Sequence, residues 1–397
     1  MSSASLLLAT IIASTSICVH KDSDQTGTGQ TKSLIYCLGA SPDGKLLAVG
    51  GIRYPTLERR AGVMDLKSKQ IRCLGTPKGV IGPTLYVPAS WSSDSKQLAF
   101  GLFTAPANVP HEYWGQRIMD AAAGKIAADA DLIYFQLWTA SAETGEARSL
   151  SVSNSRHWEN PRFSPDGKQI LAYDFSGSNV ALISVPSRSS LGFLLPSTVW
   201  SRAGVHYLGY DWDPAGKAAY LSVGYGRMRK ADMSSGIWQI DLESGDKKRL
   251  SETTDAFSLF VSASGRWLGY TSKKRNAETG DYSWMIYLAS LPDFKTRVVS
   301  EHGTEYWVAW SRKGDLLAFC EKGQIAIWTP ATNKTVRMPV PEGQPRMPSW
   351  VGSTDVIVHG VDNREIWSLD TASGKRKRIL TVTEALEKLS ADAAKGR

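Results

Sequence analysis

Residues 163–173 read Phe163-Ser164-Pro165-Asp166-Gly167-Lys168-Gln169-Ile170-Leu171-Ala172-Tyr173. An aromatic residue leads into Ser-Pro-Asp-Gly-Lys, and an apolar run follows. The middle is turn chemistry, because proline presets φ and glycine accepts a positive φ without a steric penalty. The flanking runs are short, rich in β-branched and aromatic residues, and bounded by Gly, Ser and Asp, as strands are.

The same pattern recurs at Ser41-Pro42-Asp43-Gly44-Lys45-Leu46-Leu47-Ala48-Val49 and at Trp91-Ser92-Ser93-Asp94-Ser95-Lys96-Gln97-Leu98-Ala99-Phe100. Further copies begin at Trp212, Val261 and Trp310, and a degraded seventh begins at Trp350. The turn glycines Gly167, Gly216, Gly265 and Gly314 are spaced at intervals of 49 residues. A second element follows each turn: Ile237-Trp238-Gln239-Ile240-Asp241-Leu242-Glu243-Ser244-Gly245 matches Ile366-Trp367-Ser368-Leu369-Asp370-Thr371-Ala372-Ser373-Gly374 almost position for position. The runs lack the 3.6-residue period of helices, which excludes a helical solenoid. Seven units of about four strands each predict an all-β chain, a β-propeller of seven four-stranded blades. A lone blade cannot bury both faces, so stacked neighbours supply the core.

These residues resemble the TolB-type, WD-repeat-like propeller family, whose unit is Trp/Phe-Ser-Pro-Asp-Gly-Lys followed by an apolar strand. The resemblance runs from about Lys32 to Val382. It implies the fold more narrowly than the function, since the family includes translocation-complex scaffolds, propeller domains of oligopeptidases and polysaccharide lyases.

Around the repeat the chain divides into 1–22, 23–31, the propeller at 32–382, and a short helical tail at 383–397, expected to be exposed. Ser5–Val19 is apolar and ends in small residues, the length of a secretory signal, yet no Lys or Arg precedes it. It reads as a signal peptide, with a periplasmic or secreted protein, or over Thr10–Val19 as a strand that closes the ring in a cytoplasmic one, or as a disordered tail. No apolar run beyond it is long enough to span a membrane.

The 397 residues carry 46 Lys and Arg against 38 Asp and Glu, a net charge of +8. That favours anionic partners but is too slight to indicate nucleic acid. Cys18, Cys37, Cys73 and Cys320 stand far apart with no Cys-x-x-Cys, so neither a zinc site of common spacing nor a dense disulfide scaffold is present. Buried free thiols are expected, with Cys37–Cys73 or Cys73–Cys320 bridges as the alternatives.

In a propeller the Pro-Asp-Gly turns lie on one face, so the other face, where inner strands begin, would hold a ligand. Residues a few positions before each turn should rim the channel: Trp158, Glu159 and Asn160 in the third unit, Tyr207 in the fourth, Phe257 in the fifth. Glu305 and Tyr306 follow in the sixth, and Arg346 in the seventh. The second unit carries the longest loop, with a short helix expected at Tyr113–Ala130 and Trp114 near its start. Three other loops hold Arg53, Arg59, Arg60; Arg227, Arg229, Lys230; and Lys273, Lys274, Arg275, nine basic residues against four acidic ones. Arg and aromatic residues together suit an anionic or carbohydrate ligand, although charged loops also simply keep a rim soluble.

Catalytic motifs are largely missing. There is no Gly-x-Ser-x-Gly, and His111-Glu112 lacks the second histidine of a zinc helix. His157, His206 and His302 each precede an inner strand and could converge for a metal-assisted lyase. The resulting expectation is a monomeric, non-enzymatic propeller without metal or cofactor, binding a protein or an anionic or carbohydrate ligand at its channel. The alternative is a polysaccharide lyase or hydrolase using residues at the channel mouth.

Overall fold

The computed structural model describes residues 33–53, 58–75, 80–83, 89–104, 134–150, 158–174, 179–194, 205–225, 235–253, 256–275, 282–291, 293–303 and 308–395. Seven antiparallel sheets follow one another along the chain, each built from consecutive strands. Blade 1 is β1 (Leu34–Ala40), β2 (Leu46–Arg53), β3 (Glu58–Asp65) and β4 (Ile71–Cys73); blade 2 is β5 (Val80–Pro83), β6 (Ser90–Trp91), β7 (Gln97–Thr104), β8 (Tyr134–Ser141) and β9 (Ala147–Ser149). Blade 3 is β10 (Trp158–Phe163), β11 (Gln169–Asp174), β12 (Asn179–Ser184) and β13 (Ser189–Phe193). Blade 4 is β14 (Val205–Trp212), β15 (Ala218–Tyr225), β16 (Gly236–Asp241) and β17 (Lys247–Ser251). Blade 5 is β18 (Phe257–Val261), β19 (Trp267–Arg275), β20 (Tyr282–Ser290) and β21 (Thr296–Gly303). Blade 6 is β22 (Val308–Trp310), β23 (Leu317–Glu321), β24 (Gln324–Thr329) and β25 (Lys334–Pro339); blade 7 is β26 (Pro345–Trp350), β27 (Val356–Val361), β28 (Glu365–Asp370) and β29 (Arg376–Thr381). The chain is a seven-bladed β-propeller. Blade 2 has its inner strand in two pieces, β5 and β6, both paired with β7.

The turn that identified the repeat works as its chemistry requires. In three blades a serine hydroxyl donates to the turn aspartate at 2.6 Å: Ser41 to Asp43, Ser92 to Asp94, Ser164 to Asp166. The same aspartate oxygen accepts the N–H of Lys45, Lys96 or Lys168. Gly167 stands at φ 72°, and Ser95 is held at φ 64° where blade 2 has no glycine. The second repeated turn is an aspartate loop as well: Asp241 accepts from the N–H of Glu243 and Ser244, and Asp370 from those of Ala372 and Ser373.

The core lies in the seams. Side chains alternate along each strand, so Leu47 and Val49 of β2 enter the seam with blade 7 while Ala48 enters the seam with blade 2. One apolar cluster fills each of the seven seams. Aromatic residues at the repeat's first position also bond across them. The indole N–H of Trp91 donates to Gly39 O, Trp212 to Arg162 O, Trp310 to Phe260 O and Trp350 to Ala309 O, at 2.8–3.2 Å.

Blade 7 meets blade 1 with no strand exchanged among the described residues. The Thr10–Val19 segment, read as a possible closing strand, lies outside those residues. The tail, expected as a short exposed helix, is a helix, α1 (Val382–Lys395), but it is seated on blade 1. Ala385 and Leu389 are fully buried, Asp392 accepts the backbone N–H of Cys73 at 2.7 Å on edge strand β4, and Lys388 donates to Lys69 O. Glu384 caps the helix start, accepting from the N–H and hydroxyl of Thr381. Among the described residues Cys37, Cys73 and Cys320 form no disulfide with one another.

Candidate functional site at the channel mouth

Inner strands leave one edge unpaired toward the channel, so a local change in them re-aims side chains at the mouth. Such a change occurs repeatedly. One-residue bulges interrupt the inner strands of blades 1, 3, 4, 5 and 7, after Cys37, Glu159, Tyr207, Phe257 and Arg346 respectively. Three of the rim residues expected from the sequence, Glu159, Phe257 and Arg346, therefore occupy equivalent backbone positions, and Tyr207 stands one residue further from its turn. Bulges of this kind commonly orient side chains beside sites.

Blades 3 and 7 share the most specific version. Glu159-Asn160-Pro161-Arg162 and Arg346-Met347-Pro348-Ser349 each place a left-handed residue before a proline, Asn160 at φ 50° and Met347 at φ 50°. Proline has no N–H to contribute to the ladder, which favours its place in the bulge. The bulge carbonyl of Asn160 accepts the Tyr210 hydroxyl at 2.6 Å, and that hydroxyl accepts the N–H of Tyr173 at 3.0 Å, locking blade 3 to blade 4.

Polar atoms collect here without partners. Among the described residues, Asn160 Oδ1, Arg162 Nε and the indole nitrogen of Trp158 are buried and have no hydrogen-bond partner. Buried polar atoms are nearly always satisfied in proteins, and exceptions commonly mark places completed by water or a ligand. Asp211, on the neighbouring inner strand, lies in the field of Arg162. Burial pushes its carboxyl above the usual range, while Arg162 and the N–H groups of Val261 and Trp212 oppose that rise.

The expected residues fare differently. Trp158 is only 1% exposed and packs with Ala99 and Leu137 in the seam between blades 2 and 3, so it is a wall of the mouth rather than part of its rim. Glu159 and Tyr207 have the strand positions described above; their side chains lie outside the described residues, as do Trp114, Arg229, Glu305 and Tyr306 altogether. Arg346 is half-buried in its bulge. His302 is exposed on β21, the outermost strand of blade 5, and is therefore removed from the inner strands it was expected to join. His157 lies outside the described residues, and so does the side chain of His206. Among the described residues no three His, Cys, Asp or Glu side chains are grouped to hold a metal, and no helix is long and apolar enough to cross a membrane.

Arg162 and Asp211 were missed in the sequence. A signal existed: aligning the repeats puts them in one column with Gly39, Ser90, Phe260, Ala309 and Ser349, where they are the only charges.

No family model and no curated protein matches this sequence. The fold is similar to several solved propellers. The β-propeller domain of the trilobed protease from Pyrococcus furiosus, described as having an open velcro topology, is 12% identical over 89% of this chain and 98% of its own, with a TM-score of 0.57. Oligogalacturonate lyase from Vibrio parahaemolyticus is 11% identical over 88% of this chain and 87% of its own, with a TM-score of 0.54. TolB from Acinetobacter baumannii is 14% identical over 80% of this chain and 66% of its own, with a TM-score of 0.47. At such identities the likeness extends to the fold alone.

Proposed function

We propose that this chain is a non-enzymatic binding propeller that holds a ligand or partner at the bulged mouth of its channel. The observation that carries the reading is the pair of buried, unpartnered polar atoms at the blade 3 bulge, Asn160 Oδ1 and Arg162 Nε. Arg346 stands at the matching bulge of blade 7. These groups offer hydrogen bonds and positive charge, which suits an anionic or hydroxyl-rich ligand. The protein acts as a monomer outside the cytoplasm in this reading, with the N-terminal segment removed as a signal. Mass spectrometry of natively expressed protein tests that part, since an intact Met1 contradicts it.

Thermal-shift measurements against a panel of acidic oligosaccharides and acidic peptides test the site. At least one ligand should raise Tm, and Arg346→Ala and Asn160→Gly should each abolish the shift. Glycine keeps the left-handed backbone at position 160 while removing the amide. A ligand that stabilises both variants as fully as the parent would place binding elsewhere. Chemical turnover of that ligand in the same incubation would favour the enzyme instead.

A further inference from the structure

Three lysines meet where the ring closes. Lys69 lies in the turn between β3 and β4 of blade 1, its backbone in the left-handed region at φ 61°. Lys377 is on β29, the outer strand of blade 7. Lys388 is on α1, which packs against β3, β4 and β29, and its Nζ donates to the carbonyl oxygen of Lys69 at 2.9 Å. Lys69 and Lys388 are half-buried, and Lys377 is exposed. Burial holds the Lys69 ammonium below its ordinary pKa, and the charges of Lys377 and Lys388 lower it further, against the opposing Asp65.

The neighbouring charges are already engaged. Asp65 accepts the N–H groups of Lys67 and Ser68, and Glu384, one turn before Lys388 on α1, accepts from the N–H and hydroxyl of Thr381. The arginines on either side of Lys377 are paired, Arg376 with Glu342 and Arg378 with Glu365. Among the described residues Lys69, Lys377 and Lys388 form no ion pair. Like charges gathered from three separate elements repel one another, a cost that a bound anion would remove. A lysine ammonium is a point charge with three donors and lacks the planar fork with which arginine grips a carboxylate. Three such groups suit a compact tetrahedral oxyanion of charge two, which can offer an oxygen to each.

We propose that Lys69, Lys377 and Lys388 form a site for a doubly charged phosphate group that bridges blade 1, blade 7 and α1, and so clasps the ring where no strand is exchanged. The site is independent of any ligand at the channel mouth. Inorganic phosphate and the phosphomonoester headgroup of phosphatidic acid carry the same chemistry.

Thermal unfolding of the full chain in sodium phosphate up to about 10 mM, at constant ionic strength so that screening does not change, tests the site. Phosphate also stabilises folded proteins by exclusion from their surfaces, so the readout is the difference between parent and variants. The parent should gain Tm along a saturable curve, and Lys69→Met, Lys377→Met and Lys388→Met should each raise the half-saturating concentration about fivefold or more. Without phosphate, Lys377→Met should melt no lower than the parent, because it relieves repulsion, whereas loss of a merely structural lysine would lower Tm. Hydrogen exchange along β4 should slow with phosphate in the parent but not in Lys377→Met. Cosedimentation with phosphatidic-acid vesicles that Lys377→Met abolishes would assign the group to a lipid; a saturable shift without cosedimentation would assign it to the free ion. No saturable shift and no vesicle binding, or responses that all three variants retain in full, would overturn the proposal.

Discussion

Ser349 Oγ, on the inner strand of blade 7, accepts the backbone N–H of Ala40, on the inner strand of blade 1, at 2.9 Å. These residues are 309 positions apart, and their contact closes the ring. The same link joins Ser90 to the N–H of Phe163 and Asp211 to that of Val261. A short polar side chain on one inner strand thus satisfies a channel-facing N–H of the next blade.

Replacing Ser349 with alanine leaves the Ala40 N–H without its partner. Losing one partner of a buried hydrogen bond costs about 1–3 kcal/mol. Urea denaturation of Ser349→Ala should show a loss of that size. Trp350→Phe, which removes the indole bond to Ala309 O together with part of a buried ring in the blade 6–7 seam, should cost at least as much, about 1–3 kcal/mol.

The helix seat on blade 1 is equally open to test. Leu389 is fully buried, and Leu389→Ala should destabilise the fold by about 2–5 kcal/mol. Gly62→Ala should also weaken it, because a Cβ there would lie 2.6 Å from Leu389 Cδ2 and 2.8 Å from the carbonyl oxygen of Arg72. Helical circular dichroism and midpoint temperature would both report the loss; an unchanged midpoint in both variants would mean the helix is not seated as described.

His359 gives the fold an acid limit. It is fully buried on β27, its Nε2 has no hydrogen-bond partner, and burial pulls its pKa from 6.5 down to about 4, against the opposing Gly360 carbonyl and Glu342 and with Arg376 adding to the fall. The unfolded chain therefore takes up a proton near pH 6.5 that the folded chain refuses until about pH 4. Stability is fully present above pH 6.5 and falls as the pH drops toward 4, by roughly 3 kcal/mol. His359→Gln should flatten this step in denaturation midpoints measured from pH 7.5 to 4. The turn aspartates Asp43, Asp94 and Asp166 are held below their ordinary range, for the last two chiefly by the serine hydroxyl, so their contribution is lost only below about pH 3.8.

Thiol reactivity should separate the cysteines. Burial pushes the Cys37 thiol up to about 12 and raises that of Cys320 as well, and a protonated buried thiol is a poor nucleophile. Cys73 is half-buried at the blade 1 edge. Peptide mapping after brief alkylation should find Cys73 modified in the native protein, and Cys37 and Cys320 only after unfolding. Rapid native labelling of Cys320 would contradict its place in the seam.

Much of this architecture is written locally. Ser164, Asp166 and Gly167 close a turn within a few residues, and Gly-to-Gly spacing counts the blades without reference to any distant contact. The strand positions of Glu159, Phe257 and Arg346 followed from the same counting, since each precedes its turn by the same interval, with Tyr207 one residue out. Trp158 and His302 were misjudged because counting gives a position along the strand and not the seam or outer edge into which the chain then turns. The meeting of Lys69 and Lys388 was obscure for another reason: they are 319 positions apart, and only the seat of α1 on blade 1 sets them side by side.

From its sequence alone this chain was legible as a seven-bladed propeller, because turn φ preferences and alternating burial act over a handful of residues and repeat seven times. Which groups close the ring, that the C-terminal helix covers blade 1, and which polar atoms are left without partners at the mouth were decided only in three dimensions. Each of those depends on residues from different blades meeting at a seam, and no local pattern encodes the neighbour that a bent ring of sheets brings into contact.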